Sequence, residues 1–339
     1  MGTRLRRGAK RTIAFLLTTA VLVAGVIAFS FRQDIQDHFR ALGFDPSART
    51  IEVMDFLQLT DRGERVFLAS RPTVDGSQLF NAQCSGVNHS EEGHVLGCYT
   101  GERIHLFDVP DPRIGGIVEV TAAHELLHAT FDRLSDGERA ALTERLMTAY
   151  DVLSLEHPEL VERMSVYAHL SATAFANELH SVLGTEVRDL PSWLEQRYGD
   201  WFKNRDALID HFESFHAVFV ELEDQAKTLE TEMTALRADV ERRNAEYDAT
   251  VHQFNLDAAD LRRRNENFEF SDNPAEFNRM RDELAKRRAA IQSTLDGLQA
   301  DIDRYNAMRE ELQKLSQQST ELQEKLNSEL APVTSQPEE

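Results

Sequence analysis

The chain has 339 residues, enough for one well-buried domain with extended structure beside it. Its formal net charge is −21, from 58 acidic against 37 basic residues. That balance argues against nucleic acid as a partner, because a binder needs a positive footprint to displace counterions; it describes a solvated, self-repelling surface instead.

The first eleven residues, MGTRLRRGAKR, hold five basic side chains and no acid, and 1–12 read as a basic tail. The run Ile13–Phe31 follows, interrupted only by Thr18, Thr19 and Ser30. It is long enough to cross a bilayer core as a helix of about 20 residues. Basic charge before it and mixed charge after it (Arg32, Asp34, Asp37) predict a single-pass anchor at 13–31, with a cytoplasmic N-terminus and the bulk of the chain outside. Small residues at Ala28 and Ser30 would instead suit removal as a signal peptide. The run exceeds the usual h-region of about 7–15 residues, which favours a retained anchor. Both readings export 33–339. In an exported chain, Cys84 and Cys98 read as one disulfide clipping a short loop rather than two free thiols, and their spacing is too long for a zinc knuckle.

Residues 33–70 carry apolar positions at helical spacing, including Ile51, Met54, Leu57, Val66 and Phe67. Over 71–118 glycine and proline punctuate short β-prone runs. HVLGCYT (94–100) and RIHLFDV (103–109), joined by Gly101 and Glu102, predict a hairpin. His89, His94 and His105 in this region have no ligand spacing and read as surface residues.

From Val118 to about Phe215 the chain reads as helices. VEVTAAHELLHATFDRL is one. Ser135 or Asp136 caps the next, amphipathic through Leu142, Leu146 and Tyr150. A third runs Met164–Leu183, and Pro191 starts a fourth, PSWLEQRYGDWF, whose Trp193, Trp201 and Phe202 pack on the core.

Beyond His216, Leu222, Ala226, Leu229, Met233, Leu236 and Val240 step alternately by four and three. After a slip near Asn244 the stripe resumes at Tyr247 and continues to Leu261. This is a heptad pattern, and the Arg262–Arg264 run is a solvated face of it. FEFSDNPAEF (268–277) breaks it, with Asn273 placed to cap a new helix and Pro274 at its first position. A second stripe runs from Leu284 to Leu322. Two stripes and a short turn predict an antiparallel coiled-coil hairpin with arms of roughly 75–80 Å.

The segment VTAAHELLHATFD (120–132) carries the chemistry. His124 and His128, four residues apart, share one helical face and can bind a single Zn2+. Glu125 stands beside that metal without ligating it, where it can take a proton from metal-bound water and pass it to a leaving amine. Leu126 and Leu127 anchor the helix in the core. Burying two histidines and a glutamate on an otherwise apolar helix is costly without a metal. The preceding hairpin offers a strand edge for an extended peptide.

A catalytic zinc needs a third protein ligand, and SATAFANELHSVLGTE lies downstream. Together the two segments resemble the thermolysin-like, glutamate-ligand zinc metallopeptidases, the gluzincins, which carry HExxH on one helix and a Glu, often after Asn, on a later one. The resemblance covers Val120–Asp132 and Asn177–Ser181. It implies His124, His128 and Glu178 as ligands and Glu125 as general base. Asp132 and Ser181 also match, whereas Val182 stands where the family has an Asp that orients a zinc histidine. The residues themselves leave His180 and Glu186 as rival third ligands. His180, or less so Tyr167 or Tyr198, is a candidate donor to the tetrahedral oxyanion.

These readings describe an α+β chain. A mostly helical, zincin-like domain with a small β-hairpin region occupies 50–215, an antiparallel coiled coil 216–327 and a disordered tail 328–339, behind one transmembrane helix. The implied activity is zinc-dependent peptide hydrolysis outside the cytoplasm. The implied partners are a peptide or protein substrate, the membrane, and a protein or second copy through the coil. The residues leave a second class open, a non-catalytic cell-envelope scaffold with a structural or degenerate metal site.

Overall fold

The computed structural model describes residues 31–85 and 95–329, together with Thr19, Leu22 and Gly25. The described chain divides into two compact units: the residues up to Val218 with those from Leu322 onward, and Phe219–Glu321.

In the first unit, α1 (Arg32–Leu42), α2 (Ala48–Leu57) and α3 (Asp61–Ala69) precede the sheet. Ser47 and Thr60 cap α2 and α3, their hydroxyls accepting from the N–H groups of Thr50 and Gly63 at 3.2 and 3.0 Å. Then come β1 (Thr73–Asp75), α4 (Ser77–Cys84), β2 (Gly97–Tyr99) and β3 (Ile104–Phe107). β2 and β3 form the expected hairpin, Cys98 opposite His105, with strands shorter than the runs 94–100 and 103–109. β1 adds a parallel strand, absent from the sequence reading, in the order β1-β3-β2. Every residue of β3 is buried. His105 is therefore a core residue and not a surface one: its Nδ1 lies 2.9 Å from Thr73 Oγ1, and burial lowers its pKa. His89 and His94 lie outside the described residues. Cys84 and Cys98 are bonded, clipping α4 to β2; closing a loop of this size contributes on the order of 3 kcal/mol.

α5 (Ile117–Asp132) is apolar nearly all round and is the central helix, with only Thr121 and Asp132 escaping burial. α6 (Asp136–Glu156) opens on Ser135, whose capping box with Glu138 settles the choice between Ser135 and Asp136. The predicted helix Met164–Leu183 is two helices, α7 (Pro158–Ser165) and α8 (Ala172–Glu186). Between them Tyr167, Ala168 and Leu170 turn back on carbonyls three residues earlier, and the Ser171 hydroxyl then caps α8. α9 (Ser192–Tyr198) is shorter than its run suggests; Trp201 and Phe202 beyond it are buried, and the Arg145 guanidinium covers the Trp193 ring at 3.8 Å.

α10 (Arg205–Glu266) begins before the predicted start at His216 and runs unbroken into the second unit. α11 (Pro274–Leu326) returns. Asn273 caps it as expected, its Oδ1 accepting from Glu276 N–H at 3.2 Å. Within the second unit the arms are antiparallel: Glu232 meets Arg304, Arg243 meets Asp301 and Asp257 meets Arg287, one series rising as the other falls. Met233, Leu261, Leu298, Met308 and Leu315 fill the seam. Residues 330–339, most of the predicted tail, lie outside the described residues.

Among the described residues no helix is long and apolar enough to cross a membrane. The predicted anchor at 13–31 lies outside them except for Thr19, Leu22, Gly25 and Phe31.

Candidate metal centre

Two helices build the site. His124 and His128 stand one turn apart on α5, their rings 4.7 Å apart and nearly perpendicular. α8 packs closely on α5 because residue 184 is glycine. A Cβ there would run into Leu127 and come within 2.9 Å of the Tyr198 ring. Glu178, on α8, reaches back to the histidines. Its Oε2 lies 3.8 Å from His124 Nε2 and 3.5 Å from His128 Nε2. The three donor atoms fall within 4.8 Å of one another.

These residues could hold a metal ion, and zinc geometry is the test of fit. With bonds of about 2.0–2.2 Å, tetrahedral ligand atoms lie roughly 3.3–3.6 Å apart, near the 3.8 and 3.5 Å that separate Glu178 Oε2 from the two imidazole nitrogens. The donor set is two imidazoles and a carboxylate, and His124 and His128 are each 8 % exposed. Glu178 Oε2 is buried without a well-formed hydrogen bond, a costly state that a bound cation removes. Burial opposes charge on His128, but the Glu178 carboxylate outweighs it, and Glu125 and Asn177 add to the effect. The His128 pKa therefore stands well above the ordinary imidazole value. Burial likewise works against the Glu178 carboxylate, and the two histidines outweigh it, holding its pKa well below the usual range.

Glu125 is 6 % exposed and faces β2. Gly97 makes that possible: a Cβ at this position would stand 2.9 Å from Glu125 Oε1 and 2.8 Å from its Cγ. Gly97 is not among the residues singled out from the sequence; the signal that could have found it is a glycine within a β-prone run, a sign of close approach. A cavity of about 680 Å³ opens onto His124, Glu125 and Gly97. Its apolar wall includes Leu96, Ile117, Val120, Leu160, Val182 and Val187. Arg163 and Glu186 also line it, paired at 3.2 Å.

The structure brings His124, Glu125, His128 and Glu178 together. It leaves the rival ligand Glu186 with Arg163, outside the donor cluster. His180 is 0 % exposed, enclosed by the rings of Phe131 and Tyr198, and its Nε2 accepts from Arg197 Nε at 3.3 Å. Burial, then the Arg197 charge, lower its pKa well below the ordinary value. His180 thus packs the core behind the site and is not on the cavity wall. The other two candidate oxyanion donors are buried as well; Tyr167 is 1 % exposed, and the Tyr198 hydroxyl donates to the His180 carbonyl at 2.7 Å. Neither lines the cavity.

Asp132 lies at the far end of α5, where Tyr99 donates to it at 3.3 Å. Val182 is 1 % exposed, and His128 Nδ1 is buried without a well-formed hydrogen bond. Arg163 was not foreseen; it carries no spacing signal, because Glu186 is 23 residues away. Compared with protein-family models, with curated proteins and with solved structures, the chain matches none.

Proposed function

We propose that the chain is a zinc-dependent peptidase of the gluzincin kind, anchored by 13–31 with its catalytic domain outside the cytoplasm. The observation that carries this reading is the cluster of His124, His128 and Glu178 with Glu125 next to it, where His124 and Glu125 line a cavity wide enough for a side chain. His124, His128 and Glu178 would hold the metal, which when bound supplies the Lewis acidity that polarises an amide carbonyl and acidifies water. Glu125 takes the proton from the attacking water and delivers it to the departing amine. Gly97 leaves that carboxylate its room. β2, one of the two edge strands of the sheet, offers backbone groups to an extended peptide. The apolar cavity wall accepts one of its side chains.

The competing reading is a cell-envelope scaffold, acting through the coil, with a degenerate site. It draws on Val182 and on His128 Nδ1, which makes no well-formed hydrogen bond, since a zinc histidine normally donates its other ring N–H to a neighbour. Against a structural site stands its donor count: such sites are closed by four protein ligands, and three cluster here among the described residues.

Hydrolysis of a library of internally quenched peptides separates the two. The full chain should cleave, chelation should stop it, and added zinc should restore it. Glu125→Gln should keep the metal and lose activity by about 10²–10⁴-fold. Undiminished cleavage by Glu125→Gln would assign the activity elsewhere.

A further inference from the structure

Helix α1 is built inside out. Its inward face carries Gln33, Asp37, Arg40 and Ala41, none of them fully exposed. Asp37 is 2 % exposed and takes a two-pronged ion pair from Arg133, at 2.9 and 3.0 Å. Arg133 is held in turn by the Ser70 hydroxyl at 3.1 Å and the Ala129 carbonyl at 2.8 Å. The outward face carries Phe31, Ile35, Phe39 and Leu42, which are 54, 44, 69 and 71 % exposed. Their steps of four, four and three put them on one stripe, on the side of the helix opposite Asp37.

A surface helix of a soluble domain shows the reverse arrangement. An apolar stripe turned outward calls for an apolar medium, and the sequence names one. The run Ile13–Phe31 ends where α1 begins, so chain long enough to cross a bilayer leads directly into this helix. The protein's net charge of −21 points to burial of apolar side chains, and not attraction to anionic headgroups, as the basis of contact.

We propose that α1 lies in the plane of the bilayer interface, with Phe31, Ile35, Phe39 and Leu42 in the boundary between headgroups and acyl chains. The Asp37–Arg133 pair then fastens the membrane-bound helix to the residue that follows α5, the helix bearing His124 and His128. The inference rests on the anchor reading of 13–31 and is independent of catalysis.

The test is spin-label accessibility on the full chain in phosphatidylcholine vesicles. The native cysteines are bonded to each other, so single cysteines can be labelled in turn at Leu22, Phe39, Leu42 and Leu155. Leu22 reports the anchor, and Leu155, 83 % exposed on α6, reports water. The proposal expects positions 39 and 42 to resemble 22, more open to oxygen than to a water-soluble nickel chelate, with 155 the reverse. If 22 lies in lipid while 39 and 42 behave like 155, the proposal fails and the anchor stands. If all four are open to nickel, both fail. If the labels at 39 broaden one another and neither reagent reaches them, a second copy covers the stripe and the proposal is wrong.

Discussion

α5 and the two arms of the hairpin are all helical and all carry ionisable side chains, yet those side chains do different things. On α5, Glu119, His124, Glu125 and His128 are buried in a helix whose other buried residues are apolar apart from Thr130. A buried ionisable group is costly unless something pairs with it, so each of these demands a partner. In the arms, Arg237 with Glu241 and Arg242 with Glu246 face water at i,i+4 spacing. Such pairs favour helix and solubility and add little else. Polar residues thus report chemistry in the first region and solvation in the second.

The largest contrast concerns ion pairs. Asp37→Asn leaves Arg133 buried beside a neutral group and should destabilise the first unit by about 3–5 kcal/mol, as when one half of a buried pair is removed. Arg237→Ala breaks the exposed pair with Glu241 in the hairpin and should leave the melting temperature nearly unchanged. Thermal unfolding of both variants checks this; equal losses would erase the distinction between the two regions.

A packing change comes next. Gly184→Ala forces a methyl between α5 and α8, against Leu127 and Tyr198, and should cost about 1–3 kcal/mol. Because Glu178 rides on α8, metal affinity should fall with it. Gly297, on α11, has nothing within 4 Å of a built Cβ. Gly297→Ala should therefore stabilise its arm by up to about 1 kcal/mol, the gain in helix propensity. Chemical denaturation resolves the opposite signs.

The smallest effect is a proton. His128 has a raised pKa because Glu178 faces it, so at neutral pH the metal-free site holds a proton that a metal ligand cannot keep. Metal uptake near pH 7 should release about one proton, seen by calorimetry in buffers of different ionisation enthalpy. Affinity should rise with pH below the raised His128 value. The metal-free fold gains from both shifts. The raised His128 pKa stabilises below the unfolded imidazole value, and that gain is lost as pH rises through the folded one. The lowered Glu178 pKa stabilises above the unfolded carboxylate value, and that gain is lost as pH falls through the folded one. A metal-free melting temperature that does not fall at either extreme would contradict the pairing.

Much of this was legible in the sequence, for identifiable reasons. The four-residue spacing of His124 and His128 survives in any helix, and the heptads from Leu222 to Leu322 carry their own period. Asn273 and Ser135 cap by local chemistry that needs no tertiary context. Other features left no periodic trace. Asp37 and Arg133 are 96 residues apart, so the inward polarity of α1 follows from tertiary pairing alone. β1 spans three residues, too few for an alternation to register. Ser171 divides a continuous apolar pattern because its hydroxyl caps a new helix start. His180 follows Glu178 by two residues, which on a helix turns it to another side, and there the core encloses it.

The measurement that tests the central claim most directly is metal content by mass spectrometry, on the purified full chain beside His128→Ala and Glu178→Ala. The account predicts about one zinc per chain in the first and loss of the metal in both variants, with folding intact. A normally folded chain that binds no zinc, or variants that keep it, would contradict the assignment of His124, His128 and Glu178 as a metal centre.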